Sequence, residues 1–389
     1  MKITIVSSFF LPVPPVAGGA MEKIWFRLAR EFAAAGHEVT HVSRTWPGFP
    51  DQEMIDGVRM IRMPGCSHHR RLWQNLLSDF FWGLRVARRL PPGDIVACNT
   101  VTLPVYLAWL RPHAGRVVAV LGRMPKGHAH FYGLVHRLIA TSEAVQAQVI
   151  RENVRLKDRT LVVPNPIDWT LHQDPLRDPN TPVTIGYVGR MNPEKGLEIL
   201  LQAAAALARK PGIPAWRLRL VGPQTVAEGG GGEAYVDGLR SLAANAGADV
   251  SVEPPLYDPI ALARIYRSLD IFCYPSLAEK GEGLSVAPIE AMSAGAVPVV
   301  SALECYADVI RHEHNGLVFD HRAANAADLL ADAFARLITD ADLRRRLGAQ
   351  ARLDARPFDY AAVAHALLDD FATLNRPTDY LAKNTPSGK

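Results

Sequence analysis

A chain of 389 residues is longer than one hydrophobic core supports, about 250–300 residues, so two domains are expected. With 48% hydrophobic and 21% charged residues, the composition is globular and excludes both a disordered chain and a membrane-spanning bundle. The net charge of +4 hides an asymmetry, because residues 1–165 hold 21 Lys and Arg against 11 Asp and Glu while the remainder holds 22 against 28. A basic first half suits an anionic partner such as a phospholipid-linked acceptor or a membrane surface; ordinary solubility charge is the alternative.

The chain begins with an apolar strand pattern over residues 2–8 (KITIVSS), preceded only by Met1, so no secretory leader is expected. A Pro- and Gly-containing loop ending in Gly18 and Gly19 leads into a helix pattern. There Met21, Ile24, Trp25, Leu28 and Phe32 recur at helical spacing, and Gly36 stands at the C-terminal glycine position. Residues 38–43, 94–100, 116–122, 137–142 and 160–165 read as further strands, spaced for helices between them and hence for a parallel sheet. Between them, residues 68–89 mix apolar and basic side chains at helical spacing, which fits a core helix or one lying on an anionic membrane. A polar, proline-marked stretch over 168–182 reads as a linker, and the domain boundary is expected after residue 170.

The cycle then restarts with strands at 183–189, 217–222, 271–276, 297–301 and 316–319 and helices at 196–209, 235–246, 324–338 and 341–353. The expected architecture is therefore α/β, with two Rossmann-like, doubly wound parallel-sheet domains over 1–170 and 171–359. Residues 360–374 form a further amphipathic helix pattern, residues 376–389 a polar tail expected to be disordered, and the glycine run at 228–232 a flexible loop. Cys66, Cys98, Cys273 and Cys305 show neither a CxxC pair nor metal-ligand spacing, which fits a reducing, cytoplasmic setting. No apolar run reaches the roughly 18 residues that span a bilayer, so any membrane contact is expected to be peripheral, on the inner face.

Two carboxylates frame residues 282–290 (EGLSVAPIE). Were the segment helical, eight steps of about 1.5 Å would set Glu282 and Glu290 roughly 12 Å apart on similar faces. That exceeds the ~5–9.5 Å of a glycosidase pair but suits the two ends of an extended ligand. Amides from Gly283 through Leu284 and Ser285 to Val286 are then candidates to hold a diphosphate at the helix start. A second element, residues 186–196 (GYVGRMNPEKG), carries Gly189, Arg190 and Lys195 on one strand-to-helix loop, two cations placed to neutralise a diphosphate leaving group. The one acidic DxD, Asp340 and Asp342, opens a helix and reads as a cap, so no metal is required by this reading. A nicotinamide dehydrogenase is disfavoured because no clean GxGxxG follows either opening strand, and nothing points to nucleic acid.

Residues 282–300 (EGLSVAPIEAMSAGAVPVV) resemble the EX7E segment of glycosyltransferase family 4, and residues 189–196 resemble that family's G-R-x-x-x-x-KG loop. The resemblance implies two Rossmann-like domains facing a central cleft (the GT-B fold). It also implies retaining transfer from a nucleotide diphosphate sugar, UDP- or GDP-linked, to a saccharide or lipid-linked acceptor. No further cofactor is implied. Glu290 would bond the ribose, Glu282 would lie near the transferred sugar, and Arg190 and Lys195 would contact the phosphates. Gly18 and Gly19 resemble the family's first-domain glycine loop, residues 163–168 (VPNPID) its V-P-N-G-V-D, and residues 220–223 around Gly222 its base-proximal segment. Relatives also suggest that the helix over 360–375 packs back on the first domain. Leu284 and Ser285 stand where the family often has Phe-Gly, a departure bearing on the sugar pocket. The family's usual first-domain histidine is missing; Arg123, Lys126 and His128 either line the acceptor cleft or form an exposed polar loop. A nucleotide-sugar epimerase and a silent sugar-nucleotide-binding module are the rival functions.

Overall fold

In the computed structural model, residues 1–376 are described apart from Gly18, Arg70, Pro179 and Lys280. The expectations for Gly18 and for the tail beyond residue 376 lie outside the described residues. Packing divides the chain into two units: Met1–Thr141, Val145–Val163 and the chain from Tyr360 form one, and Ser142–Ala144 with Pro164–Asp359 the other.

The first unit is built from β1 (Lys2–Val6), α1 (Ala20–Ala34), β2 (Glu38–Arg44), β3 (Gln52–Ile55), β4 (Val58–Met63), α2 (Leu72–Arg89), β5 (Ile95–Cys98), α3 (Leu103–Leu110), β6 (Arg116–Leu121), β7 (Arg137–Ala140), α4 (Glu143–Glu152) and β8 (Thr160–Val162). The sheet runs β3-β4-β2-β1-β5-β6-β7-β8 and is parallel except where β3 pairs antiparallel with β4. That hairpin escapes the sequence reading, although Asp56 (φ 49°) and Gly57 (φ 81°) make the two-residue Asp-Gly turn such ribbons favour. Inner strands such as β5 are buried at every position, as a sheet covered on both faces requires. Helix α1 buries Ile24, Trp25, Leu28 and Phe32 and ends where Gly36 takes φ 83°, a left-handed conformation in which its N–H reaches Ala33 O.

The second unit comprises β9 (Val183–Val188), α5 (Leu197–Ala208), β10 (Trp216–Val221), α6 (Glu233–Ala244), β11 (Asp249–Glu253), α7 (Pro259–Ser268), β12 (Ile271–Tyr274), α8 (Val286–Ser293), β13 (Val297–Ser301), β14 (Leu317–Phe319), α9 (Ala326–Thr339) and α10 (Ala341–Ala355). Its all-parallel order, β11-β10-β9-β12-β13-β14, is the dinucleotide-fold order 3-2-1-4-5-6. The order reverses between β9 and β12, and the crevice beyond the carboxyl ends of those two strands is where such sheets take ligands.

Helix α11 (Tyr360–Asn375) belongs to the first unit: Phe371 meets Phe32 edge-on at 6.0 Å, Arg27 lies 5.5 Å over the Tyr360 ring, and Arg137 pairs with Asp370 at 2.7 Å. The division falls between Val163 and Pro164 rather than after residue 170. The connecting segment is tied to the second unit before it reaches the linker: the Ile167 N–H donates to Phe358 O at 2.8 Å and the Trp169 N–H to Asp359 Oδ1 at 3.0 Å. Asp340 caps α10 through the Leu343 N–H at 2.8 Å, and Asp342 is paired with Arg345, as the capping reading of the DxD expects.

Candidate active site

The loops leaving β9 and β12 bring Lys195 and Glu282 together. Lys195 Nζ lies 2.6 Å from Glu282 Oε2, with the two side chains only 5% and 11% exposed. Ser276 Oγ donates to the same carboxylate oxygen at 2.9 Å. The ammonium also sits 5.2 Å from the centre of the Tyr274 ring, which stacks on Tyr187 at 5.7 Å and meets Tyr306 edge-on at 6.2 Å. Burial alone would push the Lys195 pKa down, but Tyr274 and Glu282 outweigh it and hold it above the ordinary lysine value, so the cation persists at neutral pH. Burial first, and then the Glu282 charge, raise the Tyr274 hydroxyl.

Glu282 does not lie on a helix. Helix α8 begins at Val286, with Ser285 in extended backbone (φ −75°, ψ 138°) as its cap. The eight-step helical separation expected for the two glutamates is therefore corrected: Glu290 is on the helix and Glu282 in the loop before it. The cause is Pro288, whose ring would collide with the carbonyl of Leu284 were the helix one turn longer. That freed carbonyl accepts from Asn165 Nδ2 at 3.0 Å, so the VPN segment braces the Glu282 loop. The amides of Gly283, Leu284 and Ser285 thus belong to the loop, and Val286 opens the helix, where first-turn N–H groups have no helical acceptor. Glu290 is half-buried on α8 against the hydroxyl of the buried Tyr266, whose pKa is raised by burial and then by Glu290.

Arg190 stands apart from the Lys195 pair. Its Nη2 meets Glu194 Oε1 at 3.1 Å and its Nη1 reaches Gly229 O at 3.4 Å. Half-exposed ion pairs of this kind contribute about 0–1 kcal/mol, so the guanidinium is readily redirected to a phosphate. Gly189 and Gly222 are where two loops press together: a Cβ on Gly222 would fall 1.9 Å from Gly189 O. The glycine run expected to be a flexible loop instead packs on the Arg190 loop. The Gly231 N–H donates to Met191 O at 2.7 Å, and Gly229 O accepts from Asn192 Nδ2 at 3.1 Å.

The second unit thus gathers a buried lysine–carboxylate pair at the switch point, a loop bearing Arg190 beside it and a second carboxylate on the next helix. The description Glycosyltransferase Family 4 matches residues 18–170, and Glycosyl transferases group 1 matches residues 169–354. The chain belongs to glycosyltransferase family 4. It is 30% identical over 247 residues to D-inositol 3-phosphate glycosyltransferase of Nocardia farcinica, covering 61% of this chain and about half, 52%, of that relative. Phosphatidyl-myo-inositol mannosyltransferase of Mycolicibacterium smegmatis is 25% identical over 409 residues, covering 96% of this chain and 94% of its own. Among solved structures, HepE of Anabaena in complex with UDP-glucose matches with a TM-score of 0.69 at 18% identity, over 96% of this chain and 100% of that one. That likeness is one of fold, and the two parallel-sheet units are those of the GT-B class.

The first unit presents a different edge. Beyond the carboxyl ends of β5 and β7, the side-chain polar atoms of Asn99, the Thr100 hydroxyl and the Thr141 hydroxyl are buried without a hydrogen-bond partner among the described residues. Gly19 (φ 97°) caps α1 at the same edge, and a Cβ there would meet Glu22 Oε2 at 2.4 Å. Glu22 is buried, takes a bond from Ser8 Oγ at 2.5 Å, and has its pKa raised chiefly by burial. Arg123 and Lys126 are exposed on the loop after β6. His128 is instead occupied locally, its Nδ1 accepting from the Lys126 N–H at 3.3 Å and its ring packed 5.8 Å from Tyr132. Asn99, Thr100, Thr141 and Glu22 are site candidates that sequence reasoning missed. Asn99, Thr100 and Thr141 sit in no local motif and only the strand ends they follow could have marked them, whereas Glu22 lies in the first turn of α1, just after the Gly19 loop.

Proposed function

We propose that this chain transfers a glycosyl group from a nucleotide diphosphate sugar to an acceptor hydroxyl with retention of anomeric configuration. The observation that carries the reading is the Lys195–Glu282 pair, buried at 2.6 Å where the strand order of the second unit reverses. In this reading Glu290 bonds the ribose, the first-turn amides of α8 with Arg190 and Lys195 hold the diphosphate, and Glu282 faces the sugar. The bond from the anomeric carbon to the β-phosphate oxygen breaks as the acceptor oxygen bonds that carbon from the same face. The acceptor proton passes to the departing phosphate oxygen. Arg190 and Lys195 stabilise the charge gathering on the diphosphate, which is largest in the transition state.

Uridine diphosphate is the first donor carrier to test, because HepE is solved with UDP-glucose. The name of the mycolicibacterial mannosyltransferase, aligned over 96% of this chain, supports a lipid-carried acceptor, as does the basic first half. The decisive experiment is a thermal-shift screen against UDP, GDP, ADP and their sugar conjugates, repeated with Glu290→Ala, followed by product analysis with the stabilising sugar nucleotide. One nucleotide at ~100 times its dissociation constant should add about 2.7 kcal/mol to the wild type and far less to the variant. No shift with any of them would favour a silent module. Interconversion of the free donor without an acceptor would favour an epimerase.

A further inference from the structure

Helix α2 presents its apolar residues to solvent. Trp73 is 58% and Phe81 56% exposed, and Leu72, Leu76, Leu77 and Phe80 are exposed beside them. At 100° per residue, Trp73, Leu77, Phe80 and Phe81 fall on one arc of the helix. An exposed helix face in a globular protein is ordinarily polar. The opposite face buries Trp82 and Val86 in the core of the first unit, so the core claims chiefly one side of α2.

The charges on α2 are one-sided as well. Arg88 and Arg89 are exposed in its last turn and Arg71 is exposed at its start. The helix's single acid, Asp79, is buried and accepts from the Thr102 N–H and hydroxyl, both at 2.7 Å. No helix among the described residues is long and apolar enough to cross a membrane, so contact of this face with a bilayer is interfacial. Large aromatics flanked by arginines with no exposed acid are complementary to an anionic bilayer, whose headgroups take the cations and whose acyl boundary takes the rings.

Because α2 runs back from the end of β4, its first turn stands at the carboxyl edge of the first sheet. The preceding segment is joined to the β1–α1 loop there through the Cys66 N–H to Phe9 O at 3.2 Å and the His68 ring on Phe10 at 5.2 Å. We infer that the outer face of α2 docks this chain on an anionic lipid surface and so sets the Asn99 edge against the layer in which its acceptor is carried. The acceptor clause rests on the transferase reading; the docking does not.

The test is co-sedimentation of the full chain, without donor or acceptor, with vesicles of phosphatidylcholine alone and of phosphatidylcholine mixed with phosphatidylglycerol. Binding is expected only to the anionic vesicles and should weaken as salt is raised. Trp73→Ser with Phe81→Ser should weaken it by at least about tenfold, because two rings no longer leave water, while the unfolding transition stays in place because both are exposed. Trp73→Phe should retain binding, and Arg88→Gln with Arg89→Gln should remove most of the salt dependence. A wild type left in the supernatant at low salt overturns the inference. So does binding indifferent to the serine variant, or a wild-type dimer that Phe81→Ser converts to monomer, which assigns the face to a second copy.

Discussion

The carboxyl edges of the two sheets are built from opposite materials. In the second unit the edge is charged and its ions are paired: Lys195, Glu282 and Ser276 close on one another, and Arg190 is held by Glu194 and a glycine carbonyl, although Asn192 Oδ1 and the Tyr306 hydroxyl beside them are buried without partners among the described residues. In the first unit it offers neutral groups without partners: the side-chain polar atoms of Asn99, Thr100 and Thr141 are buried and unbonded among the described residues, beside a Glu22 whose pKa burial raises. The difference matches two recognition problems. A diphosphate is recognised by cations and amides that one or two loops can supply, whereas a polyol is recognised by neutral hydrogen-bonding groups gathered from several strand ends.

The comparison breaks most visibly at Lys195. Replacing it with alanine leaves Glu282 buried and unpaired, a change that costs about 3–5 kcal/mol, and removes a cation from the departing diphosphate. Transfer should fall on the order of 10²–10³-fold in single-turnover assays. Adding Glu282→Gln should recover the stability without recovering the activity. A Lys195→Ala protein that melts with the wild type and still shifts with nucleotide would detach this pair from donor binding. Next in size is Gly222→Ala. Its Cβ has no room 1.9 Å from Gly189 O, so the loops must part, at about 1–3 kcal/mol by denaturant unfolding and with a weaker nucleotide shift.

The first edge should respond differently. Asn99→Ala removes no hydrogen bond recorded within the chain, so stability should hold while the acceptor KM rises about tenfold and the donor KM does not. Steady-state kinetics with each substrate varied in turn separates the two. A matching loss of stability would show that Asn99 has a structural partner and no acceptor role.

The same contrast explains what could be read from the chain alone. The Glu282-to-Glu290 segment and the Gly189-to-Gly196 loop are short and continuous, and strand-loop-helix order fixes where each lies, so their residues could be named in advance. What periodicity could not give was the start of α8. Glu282 and Glu290 share a face only if the helix is unbroken, and the effect of Pro288 on the Leu284 carbonyl overrides that spacing. Asn99 and Thr141 belong to strands separated by β6 in sequence, and meet at one edge only after β5, β6 and β7 are paired. The β3–β4 hairpin was legible in its Asp56-Gly57 turn, but β3 is short and half-exposed, and arginines interrupt the apolar residues of β4, so neither has the apolar run that marks the others. Arg123, Lys126 and His128 drew attention by their place after the strand where the family's usual histidine is missing; folding leaves the first two exposed and turns His128 into its own loop.

The smallest effect expected is also the one that tells the two edges apart by sign. Lys195 has a raised pKa because its partner favours its charge, and that stabilisation is lost only as pH rises through its folded value, above the ordinary lysine range. Glu22 has a raised pKa for the opposite reason: burial disfavours its charge, and the bond from Ser8 only partly offsets this. A carboxyl raised in the fold lends stability below its unfolded pKa, near 4.5, and that contribution is lost as pH rises through the folded value. At neutral pH folding the wild type therefore costs either a buried charge or the uptake of a proton, which Glu22→Gln avoids, while an amide oxygen can still accept from Ser8. The variant should melt higher than the wild type at pH 7, and the gap should close as pH falls below about 4.5. A gap that is constant with pH would mean that folding does not shift the Glu22 pKa. A variant less stable at pH 7 would mean that its charge is held by a partner, which would make the first edge a second ionic site rather than a neutral one.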